Sequence, residues 1–201
     1  MSALDERTVA PRRTARYTAL GVAAVVAALL AVLATRPSAN DRVSRSPLLG
    51  KLAPDFSGPS VVGNGQFALA DHQNQFVVLN FFASYCVPCA IEHPELDAFQ
   101  KAHAKTGDAT LVSVVFQDQI DDVKAFFARR GGNWPVLDSD RVAVDYGVTG
   151  VPETYLIAPQ GVVVAKWNGS LKKANIEKVM AQYLGQADGG SSTETKPGKA
   201  G

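Results

Sequence analysis

One stretch limits the folds open to this chain more than any other. Residues 75–82 (QFVVLNFF) form an apolar run rich in β-branched and aromatic side chains, and Cys86-Val87-Pro88-Cys89 follows closely. A run of that length and composition predicts a buried strand. Pro88 suits the first turn of a helix, where its missing N–H is no loss. Leu96 and Phe99 continue the pattern at helical spacing through residues 95–105. Cys86 is therefore expected at a strand-to-helix junction, at the helix N-terminus. Free N–H groups and the helix dipole there favour the thiolate over the thiol. A thiolate attacks a disulfide, and a second thiol one turn later resolves the mixed disulfide. On this reading Cys86 is the nucleophile and Cys89 the resolving thiol. They are the only cysteines in the chain.

A structural disulfide or half a zinc site would use the same pair. Only His72, His93 and His103 accompany the two cysteines, so a four-ligand zinc site is poorly supplied and no metal is expected. A Cys-x-x-Cys beside a βαβ pattern is a redox signature. Strand, Cys-x-x-Cys, helix and Pro94, five residues past Cys89, together resemble the thioredoxin superfamily. Pro94 cannot donate to the preceding turn, so a kink is expected there. The resemblance implies an α/β thioredoxin-like fold, a central mixed β-sheet flanked by helices.

The 201 residues suit one domain with extensions. A net charge of +1 gives no electrostatic case for nucleic acid. Compartment is decided by the N-terminus rather than by the cysteines, because cytosolic proteins carry the same pair. Residues 1–16 are polar, with Arg7, Arg12, Arg13 and Arg16. Residues 17–34 are uncharged, about 27 Å of helix, close to the lower limit for a membrane span. A cleaved signal sequence is the rival, although its apolar region is usually only about 7–15 residues. An uncleaved transmembrane anchor is favoured, with the N-terminus inside and the domain outside. The expected division is a cytoplasmic tail at 1–16, an anchor or signal sequence at 17–35, a linker at 36–47, a domain at 48–185 and a disordered tail at 186–201.

Within the domain the expected order is a short strand at 66–69, a turn at 71–74 and the central strand with its Cys-x-x-Cys helix. A buried strand follows at 110–116, parallel to the first because a helix separates them. Next come an amphipathic helix at 121–130, a short edge strand at 134–138 and a short helix at 140–146 bearing Val142 and Val144. A strand–turn–strand unit at 153–167 precedes a closing helix at 171–184, with Ile176, Val179, Met180 and Leu184 on one face.

Three further positions bear on the chemistry. Pro152 follows the loop Gly147-Val148-Thr149-Gly150-Val151. That loop resembles the thioredoxin-like one in which a cis proline lies beside the cysteine pair. The resemblance implies a cis bond that leaves the Val151 backbone free to hold a substrate strand. Glu92 stands one helical turn after Cys89. It is either a solvent-facing helix residue or a carboxylate that raises the pKa of a buried thiol and takes its proton. His93 is expected as a partly exposed helix residue, and Trp134 and Trp167 as packing.

The segment from Cys86 to Leu96 is similar to the "C-x-x-C-x-x-E-H/F" segment of membrane-tethered reductants. Gly147-Val148-Thr149-Gly150-Val151-Pro152-Glu153-Thr154 is similar to the "G-V-x-G-x-P-E-T" segment of the thiol:disulfide interchange proteins of cytochrome c maturation, the DsbE/CcmG type. This resemblance implies a reductase without a cofactor, tethered in the bacterial inner membrane by a single pass, with its domain in the periplasm. Its partners would be a membrane thiol-electron transporter and apocytochrome c or a cytochrome-maturation thioprotein. Cys86, Cys89, Glu92 and Pro152 would be catalytic, and Val151 and Tyr85 would bind substrate. Tyr85 stands where that family usually has Trp, and Ala158 where an acidic residue often follows Leu-Ile.

Other functions use parts of the same pattern. A thioredoxin-like peroxidase needs a proline and a hydroxyl residue ahead of its cysteine, and only Ser84 is present. A tethered copper chaperone would hold copper(I) with two thiolates, but no methionine- or histidine-rich loop accompanies them. A periplasmic disulfide oxidase differs only by Glu92 and the Pro-Glu-Thr loop.

Overall fold

The computed structural model describes residues 13–34, 43–63 and 65–190. They fall into two units, the first within residues 1–38 and the second beginning at residue 39. The described part of the first unit is helix α1 (Arg13–Ala34). Its Tyr17–Ala34 segment is long and apolar enough to cross a membrane, a test that a signal sequence also passes.

The second unit is built on a five-stranded sheet of order β5-β4-β3-β6-β7. Strands β3 (Phe76–Phe82) and β4 (Ala109–Val115) are parallel, as their separation by a helix requires, and β5 (Val136–Asp138) extends the parallel set to the edge. Strand β6 (Glu153–Ile157) pairs antiparallel with β3 and forms a hairpin with β7 (Val163–Asn168). Every residue of β3 is buried, as befits the centre of a sheet covered on both faces.

Alternation along β3 divides the core into two layers. Phe76, Val78 and Phe82 face the layer formed with α2 (Val87–His103), α3 (Ile120–Arg130) and α5 (Lys173–Gly190), where Leu96, Phe99, Phe126, Phe127 and Met180 pack. Val77, Leu79 and Phe81 face the layer of α4 (Asp140–Asp145), with Phe56, Phe67, Val142 and Tyr146. Trp134 and Trp167 are buried packing residues.

Several expected boundaries move. A strand β1 (Ser57–Pro59) pairs with β2 (Gln66–Ala68), although Ser-Gly-Pro has no strand propensity. The pairing and the neighbouring Ser60–Leu137 bridge hold it. A turn of 3₁₀ helix (Leu69–His72) occupies the expected loop before β3. The stretch assigned to the linker already contacts the domain, because Ser44 N–H donates to the Lys166 carbonyl at 2.6 Å along the outer edge of β7. Helix α5 continues to Gly190, past residue 185, while residues 191–201 of the expected tail lie outside the described residues. On α4 Val142 is buried but Val144 is exposed, and on α5 Leu184 is exposed although it continues the spacing of the buried Ile176 and Met180.

Candidate active site

The site lies where β3 ends and α2 begins. Cys86 is the N-cap residue of α2, in extended backbone, and its Sγ accepts the Cys89 N–H at 3.2 Å. Pro88 falls in the first turn, and the helix is continuous through Pro94. Cys86 and Cys89 are joined in a disulfide. Cys86 is 8% exposed and Cys89 3%, so the first cysteine is the more exposed of the two. Helix-end N–H groups and the dipole both act on Cys86 once it is reduced.

The turn before Cys86 is held from outside by the β4–α3 loop. Asp118 Oδ2 accepts the Ser84 N–H at 2.5 Å, and Phe116 N–H donates to the Phe82 carbonyl. Tyr85 is 64% exposed and its hydroxyl reaches the Gln117 carbonyl at 3.4 Å. Val87 and Ile91, one turn apart, are exposed as well, so an apolar rim borders the disulfide.

Glu92 is only 1% exposed, which rules out the solvent-facing alternative. Its Oε1 accepts the Asn80 amide at 2.8 Å and its Oε2 accepts the Leu171 N–H at 3.1 Å. Burial pushes its pKa up to about 8, although both hydrogen bonds pull it down. The second nitrogen contact of Asn80 is Thr154 Oγ1 at 3.0 Å, and Ser113 Oγ lies 3.4 Å from Asn80 Oδ1. Trp134 Nε1–H donates to Ser113 at 2.9 Å. The carboxyl group thus sits at the end of a buried polar chain crossing β3, β4 and β6. Sequence reading missed Asn80, Ser113 and Thr154 as its partners. The available signal was Asn80 itself, the one amide in an otherwise apolar strand.

His93 is buried, not partly exposed as expected. Its Nε2 donates to the Gly131 carbonyl at 2.9 Å, and Phe126, Phe127 and Trp134 surround its ring. Burial holds its pKa below the usual value. The spacing explains both residues, because Glu92 and His93 fall on the stripe set by Cys89, Leu96 and Phe99.

The Val151–Pro152 peptide bond is cis. Val151 is half-buried and packs against the cluster that contains both cysteines. Among the described residues its backbone N–H and C=O make no hydrogen bond. The structure therefore brings Cys86, Cys89, Glu92 and Val151 into one region, with Tyr85 on its exposed rim. Among the described residues no cluster of side chains suits a metal ion.

A reversible dithiol at a helix end, backed by a buried carboxyl group and flanked by unpaired backbone, is fitted to exchange disulfides with a polypeptide. The profile of the AhpC/TSA family matches residues 49–166. Thiol:disulfide interchange protein CycY of Rhizobium leguminosarum is 30% identical over 58% of this chain, and the match spans 62% of that protein, under two thirds of its length. Thiol:disulfide interchange protein HelX of Rhodobacter capsulatus is 31% identical over 70% of this chain and 80% of its own. The crystal structure of a thioredoxin-family thiol:disulfide interchange protein from Chlorobium tepidum superposes with a TM-score of 0.61 at 27% identity, over 71% of this chain and 99% of that one. With its thioredoxin-like fold and its cysteine pair, the chain belongs to the AhpC/TSA family, among the thiol:disulfide interchange proteins.

Proposed function

We propose that the protein is a membrane-tethered periplasmic reductant whose substrates are the haem-attachment cysteines of apocytochrome c, reached directly or through a partner thioprotein. The observation that carries this reading is Glu92, a carboxyl group buried one helical turn beyond Cys89 with its pKa raised to about 8. Where Glu92 is ionised it disfavours a neighbouring buried thiolate, so the two groups compete for one proton, and a disfavoured thiolate makes the dithiol the stronger reductant.

In the proposed reaction the Cys86 thiolate attacks one sulfur of a substrate disulfide. The S–S bond breaks, a mixed disulfide forms and the other substrate sulfur leaves as a thiolate. Glu92 takes the proton of Cys89, whose thiolate then attacks Cys86 Sγ. The substrate departs with both sulfurs reduced, and two electrons have passed from the pair to the substrate. The free backbone of Val151 beside Pro152 holds the substrate chain as an added strand, and Tyr85 forms part of the rim it crosses. A membrane thiol-electron transporter then reduces the Cys86–Cys89 disulfide again.

The apolar helix supports the tethering. Residues 17–35 serve as a single-pass anchor in the bacterial inner membrane, with 1–16 cytoplasmic and the domain from about residue 48 in the periplasm. The arginines ahead of the helix support that orientation.

The test is the reduction potential of the Cys86–Cys89 pair. A value near that of thioredoxin, about −270 mV, or moderately above it is expected. A value near about −120 mV would make the protein a disulfide former and sink the proposal.

A further inference from the structure

The Pro-Glu-Thr run places two polar side chains on opposite faces of β6. Thr154 joins the Glu92 and Asn80 chain on the α2 face. Glu153 points to the other face, where it is 3% exposed and takes no part in the chemistry described above. Its Oε2 lies 2.7 Å from Lys166 Nζ of β7, itself 8% exposed. Its Oε1 accepts both the backbone N–H of Thr149, at 3.2 Å, and the Thr149 hydroxyl, at 3.3 Å. The loop from Gly147 to Val151 has few other restraints. Gly147 and Val148 are tied back to α4, but Gly150 and Val151 make no backbone hydrogen bond among the described residues. Glu153 is therefore the hydrogen-bonding anchor of the segment directly ahead of Pro152.

A buried carboxylate with a buried ammonium partner is an expensive way to fill space, since apolar residues of similar volume often do as well or better. Here the carboxylate does what an apolar side chain cannot. It fixes a backbone N–H on an exposed loop while the cation neutralises it from the rigid side of the hairpin.

We propose that Glu153, neutralised by Lys166, is a positioning residue that holds the Thr149–Val151 backbone in the shape on which a substrate chain docks. The proposal rests on the reading that Val151 receives the substrate strand. A preorganised loop lowers the ordering cost of binding and leaves the sulfur chemistry alone.

The experiment uses the full chain in detergent micelles, fully reduced. A synthetic peptide with an intramolecular Cys-x-x-Cys disulfide oxidises it in single turnovers, followed by tryptophan fluorescence. The double variant E153L/K166L replaces the ion pair with apolar side chains. It is expected to raise the half-saturating peptide concentration about tenfold or more, while the plateau rate and the reduction potential stay at their wild-type values. E153Q keeps a carbonyl oxygen for Thr149, so its half-saturation is expected within about threefold of wild type. An unchanged half-saturation in the double variant overturns the proposal, as does a fall in plateau rate alone, or an E153Q as impaired as the double variant. Amide exchange of the wild type gives a test that needs no variant. The Thr149 N–H is expected to exchange at least about tenfold more slowly than those of Gly150 and Val151, and equal rates overturn the proposal. If the wild type fails to reduce the peptide, the reductase reading fails, while the exchange rates still judge Glu153.

Discussion

Asn80 on strand β3 donates its side-chain amide to Glu92 on helix α2 across 2.8 Å of buried interior. The bond joins the middle of the central strand to the helix that carries the cysteines. It places a titratable group where water does not reach, with Leu171 N–H as its second donor. The consequences for pH, redox chemistry and stability can each be measured.

The first concerns stability against pH. Glu92 titrates near its ordinary value of 4.5 in the unfolded chain and at about 8 in the fold. Between those values the folded state holds the extra proton, so this group makes stability fall as pH rises through the window. The slope approaches about 1.4 kcal/mol per pH unit where the difference is complete. Glu92→Gln removes the titration. Urea unfolding of the oxidised protein from pH 5 to 8 should show the variant gaining on wild type as pH rises. Parallel curves would contradict the raised pKa.

Asn80→Ala tests the bond itself. Loss of the donor leaves Glu92 with the Leu171 N–H alone and should raise its pKa further. The buried acceptor is left short of a partner, at a cost of about 1–3 kcal/mol in urea unfolding. A variant as stable as wild type would show that the amide bond contributes nothing net.

Glu92→Gln should also change the thiols. The proposed mechanism couples Glu92 to the reduced thiols, and in such a set the macroscopic values belong to the group. Without the carboxylate the apparent thiol pKa of the reduced pair should fall and its potential should rise, by about 30 mV for each tenfold gain of the reduced form. Thiol alkylation against pH, together with equilibration against glutathione, measures both. Unchanged values would remove Glu92 from the mechanism.

The order of attack is tested with single cysteines. Cys86→Ser should lower disulfide exchange by about three orders of magnitude or more. Cys89→Ser should still attack but stall as a mixed disulfide, visible as a covalent adduct by mass spectrometry. An adduct formed by Cys86→Ser instead would reverse the assignment.

Gly132→Ala tests the wall behind the helix. Gly132 has φ +114°, and a Cβ there would lie 2.9 Å from the Trp134 ring and 3.0 Å from that of Phe127. Those rings enclose His93. Left-handed backbone and overpacking together should cost about 2 kcal/mol or more in urea unfolding.

Much of this protein is determined locally. The apolar run of β3, Pro88 in the first turn and the spacing of Leu96 and Phe99 place Cys86 at a helix N-terminus without reference to the rest of the chain. Period-two and helical patterns likewise define the strands, the βαβ unit and the hairpin, because each reflects one residue's relation to neighbours a few positions away. The uncharged Tyr17–Ala34 segment is similarly plain.

What the sequence left open depended on distant partners. Whether Glu92 met water or the core turned on Asn80 and Leu171, one on another strand and the other on the loop before α5. A carboxyl group on a helical stripe carries no local mark of what will cover it. His93 was misjudged for the same reason, since its cover comes from α3 and Trp134. Strand β1 exists only because β2 and the β5 edge lie beside it, and Glu153 meets its cation only because β7 brings Lys166 alongside β6. Sequence alone determined which residues hold the sulfur chemistry. Tertiary structure decided what surrounds Glu92 and His93 beside them, because desolvation and hydrogen bonding are set by groups far apart in the chain.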